Sequence, residues 1–287
     1  RGGTENKGTL ALWYDKPATI WEEALPLGNG KTGAMVFGGV ATERFQLNDL
    51  TLWSGYPGDT NSVTGPEVLK KTREAVFKGD YLKAAEEWKN IHGPYCARYQ
   101  PMGDLFLHMK HNDSVPSVFK RSLDISRALS EVKYTIDDRS FTRESFISFP
   151  DRVMVIKLSS GSRKSVSFRA ELNSSHKYTI ERISDNTIIL KGKAPYHVAH
   201  RDNDPRGQVL YSEEDGKGTS FAIRLKIKNK GGTIAFSDNC LEINDADEAI
   251  VFLAGATSYS AFDIMPEAAR KDPAAETFEI TDAASGK

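Results

Sequence analysis

The sequence predicts an all-β fold: a two-sheet antiparallel β super-sandwich with a short helical insertion. Three observations predict it. Apolar and polar residues alternate along many short runs, turn clusters separate those runs, and one segment alone switches to helical spacing. At 287 residues the chain is long enough for one large all-β domain with a substantial core.

Taken in order, Leu25-Pro26-Leu27-Gly28-Asn29-Gly30 places Pro and two Gly around an Asn between hydrophobic runs. That is turn chemistry, with positive φ open to Gly or Asn. Gly33 to Gly39 then reads as a strand. From Pro66 to Asn90 the apolar spacing turns helical, with Leu69, Val76 and Phe77 on one face and Tyr81, Leu82, Ala85 and Trp88 on another. Pro66 suits a first helical position, and Gly79-Asp80 supplies a stop and then a cap. This predicts a helical pair inserted between strands at about 66–92, closed by His92-Gly93-Pro94.

Leu105 to His111 again reads as a strand. Val132, Tyr134 and Ile136 alternate, as do Val166, Phe168, Ala170 and Leu172, and Phe221, Ile223, Leu225 and Ile227. Each predicts a strand with one wet face. Val153 to Ile156 and Ile250 to Leu253 are apolar on both faces and predict central strands covered on both sides. Asp137-Asp138, Ser184-Asp185-Asn186, Asn229 to Gly232 and Asn244 to Asp247 mark turns. Met265 to Lys287 is rich in Ala, Glu and Asp with little apolar periodicity, and reads as linker rather than core. The expected division is therefore a sandwich domain over 1–262 and the start of a linker over 263–287.

With 38 basic and 39 acidic residues the net charge is −1, which argues against nucleic acid as a partner. No apolar run approaches the roughly 18 residues that span a bilayer, so no membrane partner is expected. Cys96 and Cys240 do not make a disulfide framework; two ordinary buried thiols are the commoner case for such a pair.

Gly28 to Gly33 matches G-x-G-x-x-G, but a nucleotide fingerprint must open a helix, and a strand sequence follows here. Read as a phosphate loop, it lacks the first glycine, because position 25 is Leu25. His108 and His111 would point to opposite sides of a strand. His197 and His200 flank a loop with Asp202 and Asp204, where a solvated loop is a commoner arrangement than a cation site. No metal site is expected.

The string from Leu12-Trp13-Tyr14 through Trp21-Glu22-Glu23-Ala24-Leu25-Pro26-Leu27-Gly28-Asn29-Gly30, Gly33 to Gly39 and Glu43 to Gly55 closely resembles the start of family 95 glycoside hydrolases, the α-L-fucosidase family. Tyr99 to Leu105, Arg121-Ser122-Leu123-Asp124 with Ala128, Gly192 to Val198 and Ala254 to Tyr259 resemble later blocks, in order, from about residue 9 to about 262.

The resemblance implies an N-terminal β super-sandwich joined by a helical linker to an (α/α)6 barrel. It implies hydrolysis of α-L-fucosides with inversion, on fucosylated oligosaccharides, or of α-L-galactosides as in a few members of the family, with no cofactor. The catalytic Glu and the Asp/Asn base apparatus of the family lie in the barrel, so no catalytic residue carries over and these residues alone should be inactive. The barrel is then the expected partner. Bacterial members point to the periplasm or the cell exterior. Sugar hydroxyls call for amides and aromatic faces, and Asn29, Lys31, Gln46, Asn48, Trp53, Tyr99, Gln100 and His197 are the candidate cleft residues. A tight structural turn competes at Asn29, core or strand pairing at Trp53 and Gln46, and simple loop support at His197. A free-standing carbohydrate-binding module is the alternative function, and a β-sandwich serving protein contacts only is a third.

Overall fold

The computed structural model describes residues 10–59, 61, 64–91, 96–111, 116–200, 202, 204, 207–212, 216–266 and 268–287. The elements run β1 (Ala11–Tyr14), β2 (Leu25–Gly28), β3 (Thr32–Val36), β4 (Thr42–Asp49), α1 (Gly65–Phe77), α2 (Tyr81–Trp88), β5 (Gly103–Met109) and β6 (Val118–Asp124). There follow β7 (Leu129–Ile136), β8 (Arg139–Ile147), β9 (Met154–Ser160), β10 (Val166–Asn173), β11 (Lys177–Ser184), β12 (Thr187–Lys193), β13 (His197–Val198) and β14 (Val209–Leu210). The chain closes with β15 (Ser220–Lys230), β16 (Thr233–Ser237), β17 (Cys240–Ala246), β18 (Glu248–Thr257) and α3 (Pro273–Ser285).

Among the described residues the long strands form two antiparallel sheets. The nine-stranded sheet has the order β1-β6-β7-β8-β9-β18-β15-β12-β11, and the seven-stranded sheet β16-β17-β10-β5-β4-β3-β2. The period-2 pattern fixes which residues meet between them. Phe45, Leu47, Leu105, Leu107, Phe168, Ala170 and Leu172 come from one sheet, and Ile156, Leu190, Ile223, Leu225, Val251 and Leu253 from the other, in one continuous core. The turns fall as expected: Asp137 and Asp138 both take positive φ, 48° and 60°, in the two-residue hairpin between β7 and β8. The hairpin at Asp238-Asn239, φ 49° and 61°, repeats that geometry.

Two expectations need correcting. The alternate face of β15 is not wet over its first half, where Ala222 and Arg224 are buried, and opens to solvent only from Lys228 onward. The stretch after Met265 is not free of the core. It folds into α3, which lies along the outer face of β15 and β18, where Ile280 joins Val153, Phe252 and Ala254 in a second apolar layer. Asp272 caps the helix by accepting from the Ala274 N–H at 2.9 Å, with Pro273 in the first turn. Thr277, Thr281 and Ser285 also face the sheet, each bonding back to a helix carbonyl. A buried stripe of hydroxyl residues carries almost no apolar period, which is why the sequence hides it. β18 is thus covered on both sides over Phe252 to Ala256, and Val155 of β9 packs only at the edge of that second layer.

The helical pair is present, and its caps are as expected. Gly79 (φ 75°) ends α1, the Asp80 N–H bonds the Ala75 carbonyl at 3.0 Å, and the Asp80 carboxylate accepts from Lys83 N–H at 3.0 Å to start α2. The closing His92-Gly93-Pro94 lies outside the described residues. Cys96 is exposed, Cys240 is buried, and both are free thiols.

One charged pair sits between the sheets. Glu43 of β4 meets Arg143 of β8 at 2.5 Å, with 0% and 2% of their side chains exposed. The Glu43 carboxylate also accepts from the N–H groups of Gly38 (2.7 Å) and Arg44 (3.0 Å), and Arg143 donates to the Gly39 carbonyl at 2.7 Å. Burial pushes the Glu43 carboxyl up from its ordinary range, against the pull of Arg143 and these N–H groups. Nearby, His111 meets the Tyr134 hydroxyl at 2.8 Å, and burial, with Arg143 adding to it, holds the imidazole below its ordinary value. His176, placed between the Pro101 carbonyl (2.9 Å) and the Tyr211 hydroxyl (3.2 Å), is lowered by burial despite that carbonyl.

Truncating Glu43→Ala leaves the Arg143 guanidinium buried without its carboxylate. It should cost about 3–5 kcal/mol in chemical denaturation, whereas the apolar double variant Glu43→Leu with Arg143→Met should recover most of the loss. The two depressed histidines give a pH dependence with a definite sign. Both stay neutral in the folded protein where an unfolded histidine, near 6.5, takes up a proton. Their contribution is intact above pH 6.5 and drains away as the pH falls below it. The denaturation midpoint should fall on acidification from pH 7 to 5.5, and His176→Gln should flatten that slope.

Candidate functional site

Strand direction decides where the candidate residues go. β4 ends at Asp49 opposite Thr32, the start of β3, and β18 ends at Thr257 opposite Phe221, near the start of β15. Both sheets therefore share one end, and the long excursions leave from it: 50–102 between β4 and β5, 194–219 between β12 and β15, and 258–272 ahead of α3. The opposite end carries tight connections such as Asp137-Asp138 and Gly231-Gly232. Asn29, Lys31, Asn48, Trp53, Tyr99, Gln100 and His197 all lie at the loop-bearing end, in its turns and excursions or at strand ends beside them. Gln46 sits one pleat back on β4, beside Asp104 of β5 and Met35 of β3.

The side chains divide by what already holds them. Asn29 is spent on its own turn: its carbonyl oxygen accepts from the Lys31 and Thr32 N–H groups at 3.0 and 2.8 Å, and its amide donates to the Ser148 carbonyl at 3.0 Å. Gly30, at φ 88°, completes the bend. Lys31 reaches Glu276 of α3 at 3.4 Å. Gln100 is buried and donates to the carbonyls of Arg98 and Tyr99, at 3.2 and 3.0 Å. His197 pairs with Asp204 at 3.1 Å, and His200 meets the Cys96 carbonyl at 2.8 Å. The possible cation loop is therefore engaged internally, and no cluster of three metal-ligating side chains occurs among the described residues. His108 and His111 part as a strand demands: His108 turns to Glu171, His111 to Tyr134.

Trp53 and Tyr99 differ, because both rings stand half out of the surface, 43% exposed each. They face one another across an isolated bridge between residues 53 and 99, ring centroids 5.5 Å apart at 69°, edge to face. The Trp53 indole donates to the Leu50 carbonyl at 2.9 Å. Ser54 and Arg98 clamp the same two segments, through Ser54 N–H to the Arg98 carbonyl (2.8 Å) and Arg98 N–H to the Ser54 hydroxyl (2.9 Å). A second aromatic pair, Tyr56 and Tyr196, stands beside them at 6.2 Å, with the Lys217 ammonium 4.9 Å from the Tyr56 ring.

Beneath these rings lies a group that sequence reasoning missed. Asp49 is fully buried. One oxygen accepts from the Thr51 N–H (2.9 Å) and hydroxyl (2.6 Å), and the other has no partner among the described residues. The Thr51 hydroxyl in turn meets Thr257 at 2.6 Å, joining the sheets. Burial, with the Asp49 charge adding to it, pushes the Tyr99 phenol up, so that ring presents a neutral hydroxyl. Gln46 Oε1 and Arg98 Nε are likewise buried without a partner among the described residues. The signal was present in Asn48-Asp49-Leu50-Thr51, since an Asp two residues before Thr at a strand end is a common Asx turn. Its alternation with Phe45 and Leu47 put it on the inward face.

The likenesses of the chain fit this architecture. Residues 12–261 match the family described as glycosyl hydrolase family 65, N-terminal domain. Alpha-L-fucosidase 2 of Arabidopsis thaliana is 29% identical over 280 residues, covering 96% of this chain and 33% of that protein. A probable alpha-fucosidase A of Aspergillus niger is 32% identical over 165 residues, 53% of this chain and 20% of that one. A solved structure of a putative kojibiose phosphorylase from human microbiome superposes with a TM-score of 0.48 at 10% identity, over 96% of this chain and 32% of that chain. That superposition is too loose to add to the argument. The chain spans a third or less of the length of these curated relatives. The sandwich, its excursions and its family match lead to one conclusion: this chain belongs to the N-terminal domain family of glycosyl hydrolase family 65 and is the N-terminal domain of a glycoside hydrolase related to α-L-fucosidase.

Proposed function

We propose that the chain is the non-catalytic domain of an inverting α-L-fucosidase of the family 95 type, acting on fucosylated oligosaccharides outside the cytoplasm. In this reading residues 1–262 form the supporting sandwich, and the chain from 263 onward leads toward the catalytic barrel. One observation carries the reading: nearly the whole sandwich aligns with one third of an α-L-fucosidase. The motif blocks from Leu12 to Tyr259 point the same way. The loop-bearing end supports the barrel and lends it Trp53, Tyr99 and the neighbouring tyrosines as cleft wall. Asn29, Lys31 and Gln100 shape that wall from behind, since their polar groups are already engaged.

The alternative, a free-standing carbohydrate-binding module, draws on the same half-exposed rings. It is disfavoured by their geometry, because a sugar-binding platform needs rings that offer a common face. Trp53 and Tyr99 stand edge to face at 69°, and Tyr56 and Tyr196 are tilted at 51°.

An aryl α-L-fucoside assay separates these readings. The full-length gene product should release the aryl group and the 287 residues alone should not; turnover by the 287 residues would overturn the non-catalytic assignment. In calorimetric titration with a fucosylated oligosaccharide, the 287 residues should show no saturable heat. Saturable binding that Trp53→Ala abolishes would establish the module instead.

A further inference from the structure

The helical pair is a projection. α1 and α2 pack on each other and on the turn at Lys89–Ile91, with no substantial packing against either sheet among the described residues. Their shared interior is small, consisting of Val68, Ala75 and Ala84. The larger apolar residues point away from it. At the tip, Val76 is 42% exposed, Phe77 88%, Tyr81 71% and Leu82 84%. These four side chains fall within seven residues around the Gly79-Asp80 corner, so they form one knob. The helical spacing put Val76 and Phe77 on one face and Tyr81 and Leu82 on another, and all four face outward.

An apolar cluster of this kind on a monomer marks a contact surface. The corner that presents it is short: the 75–80 hydrogen bond and the Asp80 cap hold Lys78, Gly79 and Asp80, which join the helices. The pair leaves the sandwich at the loop-bearing end, inside the 50–102 excursion, and α3 starts at that end before running back along β15 to Ser285 beside Lys228. The relatives carry two thirds or more of their length outside the part that this chain matches.

We propose that the Val76-Phe77-Tyr81-Leu82 knob is a docking plug that seats in an apolar socket of the catalytic portion of the same polypeptide. This rests on the reading of the chain as the N-terminal domain of a longer hydrolase, and it names the contact through which the sandwich holds its partner. A knob of four side chains is a small interface for a separate protein. Within one polypeptide the effective concentration is of millimolar order, and a small plug suffices.

Hydrogen exchange of the full-length gene product and of the 287 residues tests it. Amides from 75 to 84 should exchange about tenfold or more slowly in the full-length protein, because docking suppresses local opening of an otherwise exposed hairpin. Leu82→Glu should return that segment to the rate of the isolated domain while leaving the denaturation midpoint of the 287 residues unchanged, since the side chain touches little there. Equal exchange in both proteins would overturn the proposal. So would self-association of the 287 residues in sedimentation that Leu82→Glu abolishes, which would make a second copy the occupant. Protection of 75–84 in a full-length protein that does not cleave fucosides would leave the plug standing and sink only the fucosidase reading.

Discussion

Two strands in the middle of the nine-stranded sheet carry apolar residues on both faces. β9 and β18 place Ile156, Leu158, Val251 and Leu253 toward the seven-stranded sheet, and Val155, Ile250, Phe252 and Ala254 toward the outside. Leaving either side wet would forfeit roughly 1.5–3 kcal/mol per large side chain. The stacked sheet covers one side, and α3 covers the other over β18, with Val155 of β9 at the edge of that layer. Three layers over this part of the molecule follow from that requirement, and α3 belongs to the folded unit even though its sequence reads as a connector.

The same core orders the functional end. Antiparallel pairing sends successive connections to alternate ends, and the short hairpins at one end leave the long excursions to gather at the other. That end is then fixed to the core from below. Asp49 and Thr51 tie β4 to Thr257 of β18, and Ser174 donates to the Met102 carbonyl at 2.9 Å, holding the return of the long excursion. The exposed rings of Trp53 and Tyr99 rest on a base of buried polar bonds. Rigid support of this kind suits a surface that must fit against a second body.

Much of this was legible in the residues, and the rest was hidden for identifiable reasons. Period-2 alternation marked β7, β10 and β15, two-sided apolarity marked β9 and β18, and Gly79-Asp80 marked the helix corner. The ends of those elements carry strong local chemistry. The outer face of β15 looked wet because Arg224 and Lys226 are charged. In the fold, Arg224 lies over the Phe278 ring at 4.8 Å and Lys226 pairs with Asp282 at 2.7 Å, so charged groups cover the seam beneath a helix. The outward turn of Phe77 and Leu82 could not be read, because amphipathic spacing gives a helix an apolar side without saying which body that side meets. For the candidate residues, amide and aromatic chemistry picked positions that gather mostly at the loop-bearing end. It did not separate Asn29 and Gln100, engaged internally, from Trp53 and Tyr99, whose rings stand half out of the surface.

Glu276 draws these layers together. Its carboxylate lies 3.0 Å from Arg152, 3.4 Å from Lys31 and 3.8 Å from Lys271. Lys31 belongs to the turn of the seven-stranded sheet, so one anion on α3 gathers cations from both sheets and from the segment that leads into the helix. These contacts sit close to solvent, where screening at physiological ionic strength acts over about 8 Å. The apolar seat of Ile280 and Phe252 does not feel dissolved ions in that way. Concentrated salt should therefore unlatch the first turn of the helix while its later turns stay in place, giving a cover that peels from one edge.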